Sequence, residues 1–198
     1  MRPLLIATRN AHKTREIAQI FGARFAVTDL TAHPELPATV ESGSTFLENA
    51  TLKAVEASRF FAGLVLSDDS GLEVDALGGA PGVYSARYAG EDSDDARNRK
   101  RLLEELARVE AKGAARTARF RCVMALAENG SVTGLFEGSV EGVIIDTEKG
   151  EGGFGYDSLF VPEGYGETFA ELPDEIKNRG SHRARALQKV SDFLILNS

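Results

Sequence analysis

Short apolar runs and amphipathic stretches alternate through the first third of the chain. Pro3 to Ala7 has the pattern of a short buried strand, Thr8 to His12 is polar, and Lys13 to Phe21 carries Ile17, Ile20 and Phe21 as a helical stripe that Gly22 is placed to close. Thr31 to Pro37 reads as a loop. Thr45-Phe46-Leu47-Glu48 has the form of a capping box, and Phe46, Ala50, Lys53, Ala54, Ala57 and Phe61 then recur on one broad helical face until Gly63. Leu64 to Ser67 is a second short apolar strand, with Asp68 and Asp69 expected at its C-terminal end.

The period changes further on. Asp92 to Ala111 is a charged helix with Leu102, Leu103, Leu106 and Val109 as its buried stripe, but from Thr117 the residues Ala118, Phe120, Cys122, Met124 and Leu126 alternate as in a strand. Asn129-Gly130 is a hairpin signal and Val132 to Ile145 continues as the return strand. A glycine-rich loop at 150–155 leads to a short strand at Ser158 to Val161. An amphipathic helix from Ser181 to Leu196 uses Leu187, Val190 and Leu194. Strand-helix units first and hairpins later predict an α/β fold: a mixed central sheet with flanking helices, in two lobes around a cleft.

Composition narrows what this scaffold can do. A chain of 198 residues, 42% hydrophobic and 27% charged, fits one two-lobed domain, residues 1–198, able to bury roughly 70% of its unfolded surface. The net charge of −7 argues against nucleic acid or an anionic membrane as partner, but a small phosphorylated ligand can be met by local cations. The apolar start is too short for a signal peptide or a span, so a cytoplasmic location is expected. One cysteine, Cys122, excludes internal disulfides and thiolate metal clusters, and its place in the alternating run reads as a small buried side chain.

Four polar stretches are expected in loops at element ends, where scaffolds present binding groups. Thr8-Arg9-Asn10-Ala11-His12-Lys13 follows a strand and opens a helix, offering backbone N–H groups, a hydroxyl, an amide and a lysine to phosphate oxygens, although it is not a Walker A loop. His12 and His33 have no second histidine at ligand spacing and read as surface residues. Asp68-Asp69 has two readings. Adjacent carboxylates repel by several kcal/mol unless a proton or cation lies between them, which favours a hard divalent ion such as Mg2+ with Glu41 as a further ligand. A carboxylate beside such an ion can deprotonate water for attack on phosphorus. The sequence Asp-Asp-Ser-Gly is equally a good turn.

Gly150, Gly152 and Gly155 spell G-x-G-x-x-G, but a strand ended by Pro162 follows instead of a helix, so no dinucleotide fingerprint is present. Such glycines allow close approach to a flat ligand, with Phe154 to stack and Asp157 to accept. Lys177 to Arg183 places cations and His182 near a helix start capped by Ser181, which the helix dipole disfavours unless an anionic or electron-rich ligand is bound.

Together Thr8-x-Asn10-x-x-Lys13, Glu41-x-Gly43-x-Thr45-Phe46-x-Glu48-Asn49-Ala50-x-x-Lys53-Ala54, Asp68-Asp69-Ser70-Gly71-Leu72 with GGAPGVYSAR, GGFGYD and Ser181-His182-Arg183 resemble the inosine triphosphate pyrophosphatase family. The match runs in order from residue 5 to about 190. It implies hydrolysis of ITP, dITP and XTP to the monophosphate and pyrophosphate with Mg2+, in a homodimer. By position, Thr8, Arg9, Asn10, Ala11, His12, Lys13 and Lys53 would hold the triphosphate. Asp69 would be general base and metal ligand, supported by Asp68 and by Glu41, or Glu35 from the same loop. Ser70 would contact substrate, and Phe154, Gly155, Tyr156, Asp157, Lys177, His182 and Arg183 would hold base and sugar. Ser158 departs from the family pattern, which commonly has proline there, as do Gly180 and Ala184 around the Ser-His-Arg triplet. A pyrophosphatase of the related septum-inhibitor type and a non-catalytic nucleotide-binding regulator are the alternatives.

Overall fold

The structure, a computed structural model, describes residues 2–21, 24–37, 39–91 and 94–196. Six strands form one mixed sheet: β1 (Arg2–Ile6), β2 (Phe25–Asp29), β3 (Leu64–Val74), β4 (Thr117–Glu128), β5 (Ser131–Ile144) and β6 (Phe160–Pro162), in the order β2-β1-β3-β4-β5-β6. Five α-helices accompany it: α1 (Ala11–Phe21), α2 (Phe46–Ser58), α3 (Asp95–Arg108), α4 (Asp174–Gly180) and α5 (His182–Leu196). The mixed α/β class expected from the pattern is the class observed. Strand β1 is parallel to β2 and β3, as strands connected through helices must be, while β5 and β6 are antiparallel.

The chain resolves into two compact units, one of residues 1–69, 122–138 and 183–198, the other of 70–121 and 139–182. In the first, Leu4, Ile6, Leu64 and Leu66 pack with Ile17 and Phe21 of α1, Cys122, Met124 and Leu126 of β4, and Leu187, Val190 and Leu194 of α5. Leu5 and Val65, one step along the same strands, join Ala57 of α2 in a separate cluster. That is the two-residue strand period at work: even positions of β3 face α1 and α5, odd positions face α2. In the second unit Leu102 and Leu106 of α3 pack against Leu72, Val74, Phe120, Phe160 and Phe169.

Several boundaries differ from the sequence reading for physical reasons. Strand β3 does not stop at Ser67; it runs on through the acids to Val74, because Leu72 and Val74 are fully buried in the second core. Asp68-Asp69-Ser70-Gly71 is therefore strand, not turn, and the acids lie in its middle. Burial along β4 alternates only as far as Cys122; Val123, Ala125 and Ala127 are buried too, since α2 covers that face, with the Ser67 hydroxyl reaching the Ala50 and Ala125 carbonyls. The half-exposed five residues of β2 pair only with β1 and carry little pattern, so the sequence passes over them. Helix α3 begins later than expected, where Asp94 accepts a hydrogen bond from the Arg97 amide. Gly22, the expected helix stop, and Asp92, the expected start of the third helix, lie outside the described residues. Asn129 and Gly130 both have positive φ, 52° and 77°, the geometry of the expected two-residue hairpin turn. Among the described residues no helix is long and apolar enough to cross a membrane.

Candidate active site

Helix α2 begins as its sequence dictates. The Thr45 hydroxyl accepts from the Glu48 amide at 3.1 Å and the Glu48 carboxylate accepts from the Thr45 amide at 3.2 Å, a complete capping box. The helix so started turns Asn49 and Lys53, one turn apart, toward β3. The Lys53 ammonium lies 3.0 Å from Asp69 Oδ1 and 3.0 Å from Glu41 Oε1. Asn49 donates from Nδ2 to Asp69 Oδ2 at 3.3 Å and accepts from the Gly43 amide at 2.8 Å. Glu35, the other acid of that loop, is exposed and faces His33 instead, at 3.2 Å, so Glu41 is the loop acid that meets Asp69's partner.

Asp68 points the other way. Lys13 of α1 meets its Oδ1 at 2.8 Å, and Arg183 of α5 donates to its Oδ2 from Nε and NH2, each at 3.2 Å. The same guanidinium is also bonded to Glu16 of α1. Asp68, Asp69 and Arg183 are 1%, 6% and 2% exposed, so these pairs are shielded from solvent. Strand alternation sends the adjacent carboxylates to different neighbours, Asp68 to Lys13 and Arg183 and Asp69 to Lys53.

Burial alone would raise both carboxyl pKa values, and the neighbours decide the outcome. For Asp68 the charges of Lys13, Arg183 and Lys53 and the Lys13 hydrogen bond outweigh burial and hold it far below the usual carboxylate range. For Asp69 burial prevails over Lys53 and Lys13, and its pKa is raised. Burial lowers the Lys53 pKa, but Asp69, Asp68 and Glu41 raise it further, so the ammonium stays charged. One acid is thereby a fixed anion and its neighbour a titratable base, a division found where a site does proton transfer.

The loop before α1 is held by its own polar side chains. Asn10 Oδ1 accepts from the His12 and Lys13 amides at 2.9 and 3.2 Å, and Thr8 Oγ1 accepts from the Asn10 amide at 3.1 Å. Asn10 thereby caps the first turn of α1. The helix consequently starts at Ala11, earlier than Lys13. Arg9 donates to the Leu30 and Leu36 carbonyls at 2.9 and 3.2 Å and pins the following loop. Of this stretch, Lys13 is the side chain brought to the acids.

In the second unit, Lys177 lies on α4, a helix the sequence pattern does not reveal because seven residues are too few for a stripe. Its ammonium is 2.7 Å from Asp157 Oδ2 and 5.1 Å from the centre of the Phe154 ring. The Phe154 amide donates to the same Asp157 oxygen at 3.0 Å, and Gly153, at φ 72°, leaves no room there for a Cβ. Gly155 donates from its amide to Asp95 and accepts from Arg99 through its carbonyl, while the Tyr156 hydroxyl donates to the Ser85 carbonyl at 2.8 Å. His182 is buried and stacks on Phe120 with ring centres 4.9 Å apart. Ser181 closes α4, its amide donating to the Lys177 carbonyl, and α5 starts at the next residue. Phe154, Asp157 and Lys177 are thus brought together. Ser70, the first residue of this unit, follows Asp69 within β3. Arg183 is bonded to Asp68 and Glu16 in the first unit.

The residues fit a hard cation in part. Glu41 Oε1 and Asp69 Oδ1 already converge on one positive group, and carboxylate oxygens are the donors that Mg2+ takes. Among the described residues no group of three or more acidic, histidine or cysteine side chains is gathered for a metal. Asp68 does not join the other two, because it faces α1 and α5. Asn49 and Glu16 are the participants that sequence reasoning missed. For Asn49 a signal existed: it is a polar residue inside the apolar stripe of α2, four positions before Lys53.

Known proteins are similar to this chain along nearly its whole length. A dITP/XTP pyrophosphatase of Geobacillus kaustophilus is 51% identical over 97% of this chain and 94% of its own length. One of Geobacter sulfurreducens is 49% identical over 98% and 97%. The solved HAM1 protein of Coxiella burnetii superposes with a TM-score of 0.89 at 36% identity, over 99% of this chain and 100% of that one. The Staphylococcus aureus Ham1 protein does so with 0.87 at 38%, each chain covered completely. Residues 4–193 match the sequence profile of the Ham1 family, so the split acid pair and the capped helix that serves it stand in a chain that belongs to that family.

Proposed function

We propose that this chain is a nucleoside triphosphate pyrophosphatase that hydrolyses dITP, ITP and XTP to the nucleoside monophosphate and pyrophosphate. The observation that carries the reading is the division of the acid pair: Asp69 and Glu41 converge on the Lys53 ammonium, each at 3.0 Å, whereas Asp68 is paired with Lys13 and Arg183. The names of the relatives support the choice of substrate.

In this reading Asp69 accepts the proton of the attacking water. Lys13 and Lys53 provide the positive charge that the phosphates require; both are already placed by the acids they pair with. Glu41 and Asp69 would hold Mg2+, which when bound offsets the negative charge developing on the phosphates. Asp68 keeps Lys13 and Arg183 in place instead of ligating. Thr8, Arg9, Asn10, Ala11 and His12, which lead into Lys13 at the start of α1, are assigned with it to the triphosphate.

The purine is assigned to Phe154, Gly155, Tyr156, Asp157, Lys177 and His182. A 6-oxo purine offers an acceptor to the Lys177 ammonium, where adenine's amino group would set donor against donor. Such a buried mismatch costs about 1–3 kcal/mol, roughly ten- to a hundred-fold per contact. A cytoplasmic homodimer is the expected state. The test is to incubate the protein and Mg2+ with dITP, ITP, XTP, GTP, ATP and dUTP and identify the products. Monophosphate and pyrophosphate from the deaminated purines are expected; release of orthophosphate, or faster turnover of dUTP or ATP, overturns the reading.

A further inference from the structure

Helix α2 joins β3 to the 41–43 loop twice. At Lys53 the ammonium bridges Asp69 Oδ1 and Glu41 Oε1; at Asn49, one turn earlier, the carboxamide bridges Asp69 Oδ2 and the Gly43 amide. The two bridges are chemically unequal. A lysine is a mobile point charge that a phosphate attracts and a metal ion displaces, whereas a buried carboxamide offers an NH2 donor and a carbonyl acceptor of fixed geometry. Asn49 is wholly buried. Gly43 fits tightly against it, for a Cβ there would come within 2.6 Å of Asn49 Oδ1 and 2.6 Å of Glu48 Cβ.

From this we infer that Asn49 is a positioning residue for the proposed hydrolysis. It holds the carboxylate of Asp69 and the loop carrying Glu41 in one register when the Lys53 ammonium turns to the phosphates. It touches neither substrate nor metal. Its effect is on the orientation of the base, where a displacement of about 1 Å can cost a hundred-fold in rate. The inference rests on the pyrophosphatase reading for its kinetic part and on geometry alone for its mechanical part.

Three variants of the full chain separate the two ends of the clasp. Asn49→Ala removes both contacts, Gly43→Ala wedges the loop end, and Asn49→Asp keeps an acceptor for the Gly43 amide but sets a like charge against Asp69. Steady-state release of pyrophosphate from dITP is expected to show kcat down about 10- to 100-fold in Asn49→Ala and Asn49→Asp, with KM changed less than about 3-fold. Gly43→Ala should share the signature at smaller amplitude. Hydrogen exchange without nucleotide is expected to be at least about 10-fold faster at the Gly43 amide in Asn49→Ala and unchanged in Asn49→Asp, because that amide loses its acceptor only in the first. A kcat within about 3-fold of wild type in a less stable Asn49→Ala would make the residue merely structural and overturn the inference. So would unchanged exchange at Gly43 in that variant. Should the wild type release no pyrophosphate, the functional reading falls by itself, and the exchange measurement still decides the clasp. Should Asn49→Ala not fold, Asn49→Asp and Gly43→Ala decide it.

Discussion

Asp68 and Asp69 are neighbours in the chain and belong to different environments. On the side of α1 and α5, Asp68 meets two cations, Lys13 and Arg183, with Glu16 completing a neutral group of four charges. On the side of α2, Asp69 meets one cation shared with Glu41 and one neutral amide. The first set is balanced, with Asp68 and Arg183 buried at its centre, and its parts hold one another. The second has fewer positive than negative charges, and an incoming cation or a proton relieves it. A strand with two-residue periodicity can thus separate a structural anion from a reactive one across a single peptide bond.

The sharpest way to break this comparison is to remove each carboxylate in turn. Asp69→Asn is expected to lower kcat for pyrophosphate release about 10²- to 10⁴-fold, the range for loss of a general base, while the unfolding midpoint in urea changes little. Asp68→Asn should show the reverse emphasis. It leaves Lys13 and Arg183 short of a buried counter-charge, and a loss of about 3–5 kcal/mol in unfolding free energy at pH 7 is expected. If Asp68→Asn matched Asp69→Asn in kcat while keeping full stability, the division of roles drawn here would be wrong.

Acid titration sharpens the same contrast. The folded pKa of Asp68 lies below its unfolded value of about 3.9, so the stability it contributes is present above that pH and is lost as the pH falls below it. Asp69 is shifted upward, so its contribution is present at low pH and is lost as the pH rises from about 3.9 through the raised folded value. Urea unfolding across that range is therefore expected to separate wild type from Asp68→Asn most above about pH 4 and to bring them together below it. In the second unit, Lys177→Ala is expected to narrow the preference for dITP over dATP about 10- to 100-fold, read from the two kcat/KM values, with a smaller change in kcat for dITP. The smallest effect is expected from Thr45→Ala, about 1 kcal/mol of stability from the lost cap of α2. Hydrogen exchange should place that loss on the Asp69 side of β3 and leave the Asp68 group protected.

How much of this was legible beforehand varied with the kind of signal. The capping box at Thr45, the hairpin at Asn129-Gly130 and the stripe of α5 are local patterns, and each appears where the sequence places it. The residues of the acid clusters were legible too, because Lys13, Lys53, Asp68, Asp69 and Arg183 are unusual charges near apolar runs. Their pairing was not. Which face of β3 each acid takes depends on the strand continuing to Val74, and that depends on Leu72 and Val74 finding a second core, a long-range fact. The pairing of Arg183 could not be read because its partners, Asp68 and Glu16, lie 115 and 167 residues away. Asn49 was hidden for a different reason: an amide in an apolar stripe looks like an interruption until its two partners are seen.

Cys122 gains a use from its position beside Asp68. Its Sγ lies 3.8 Å from Asp68 Oδ2 in the core of the first unit, and burial, then the charge of that acid, pushes the thiol far above its ordinary pKa. A thiol so protonated and enclosed is inert to alkylating reagents while the core is shut. Because the chain has one cysteine, each labelling event counts an opening of the region around the fixed anion. The native protein carries its own clock for the rate at which that charge cluster comes apart.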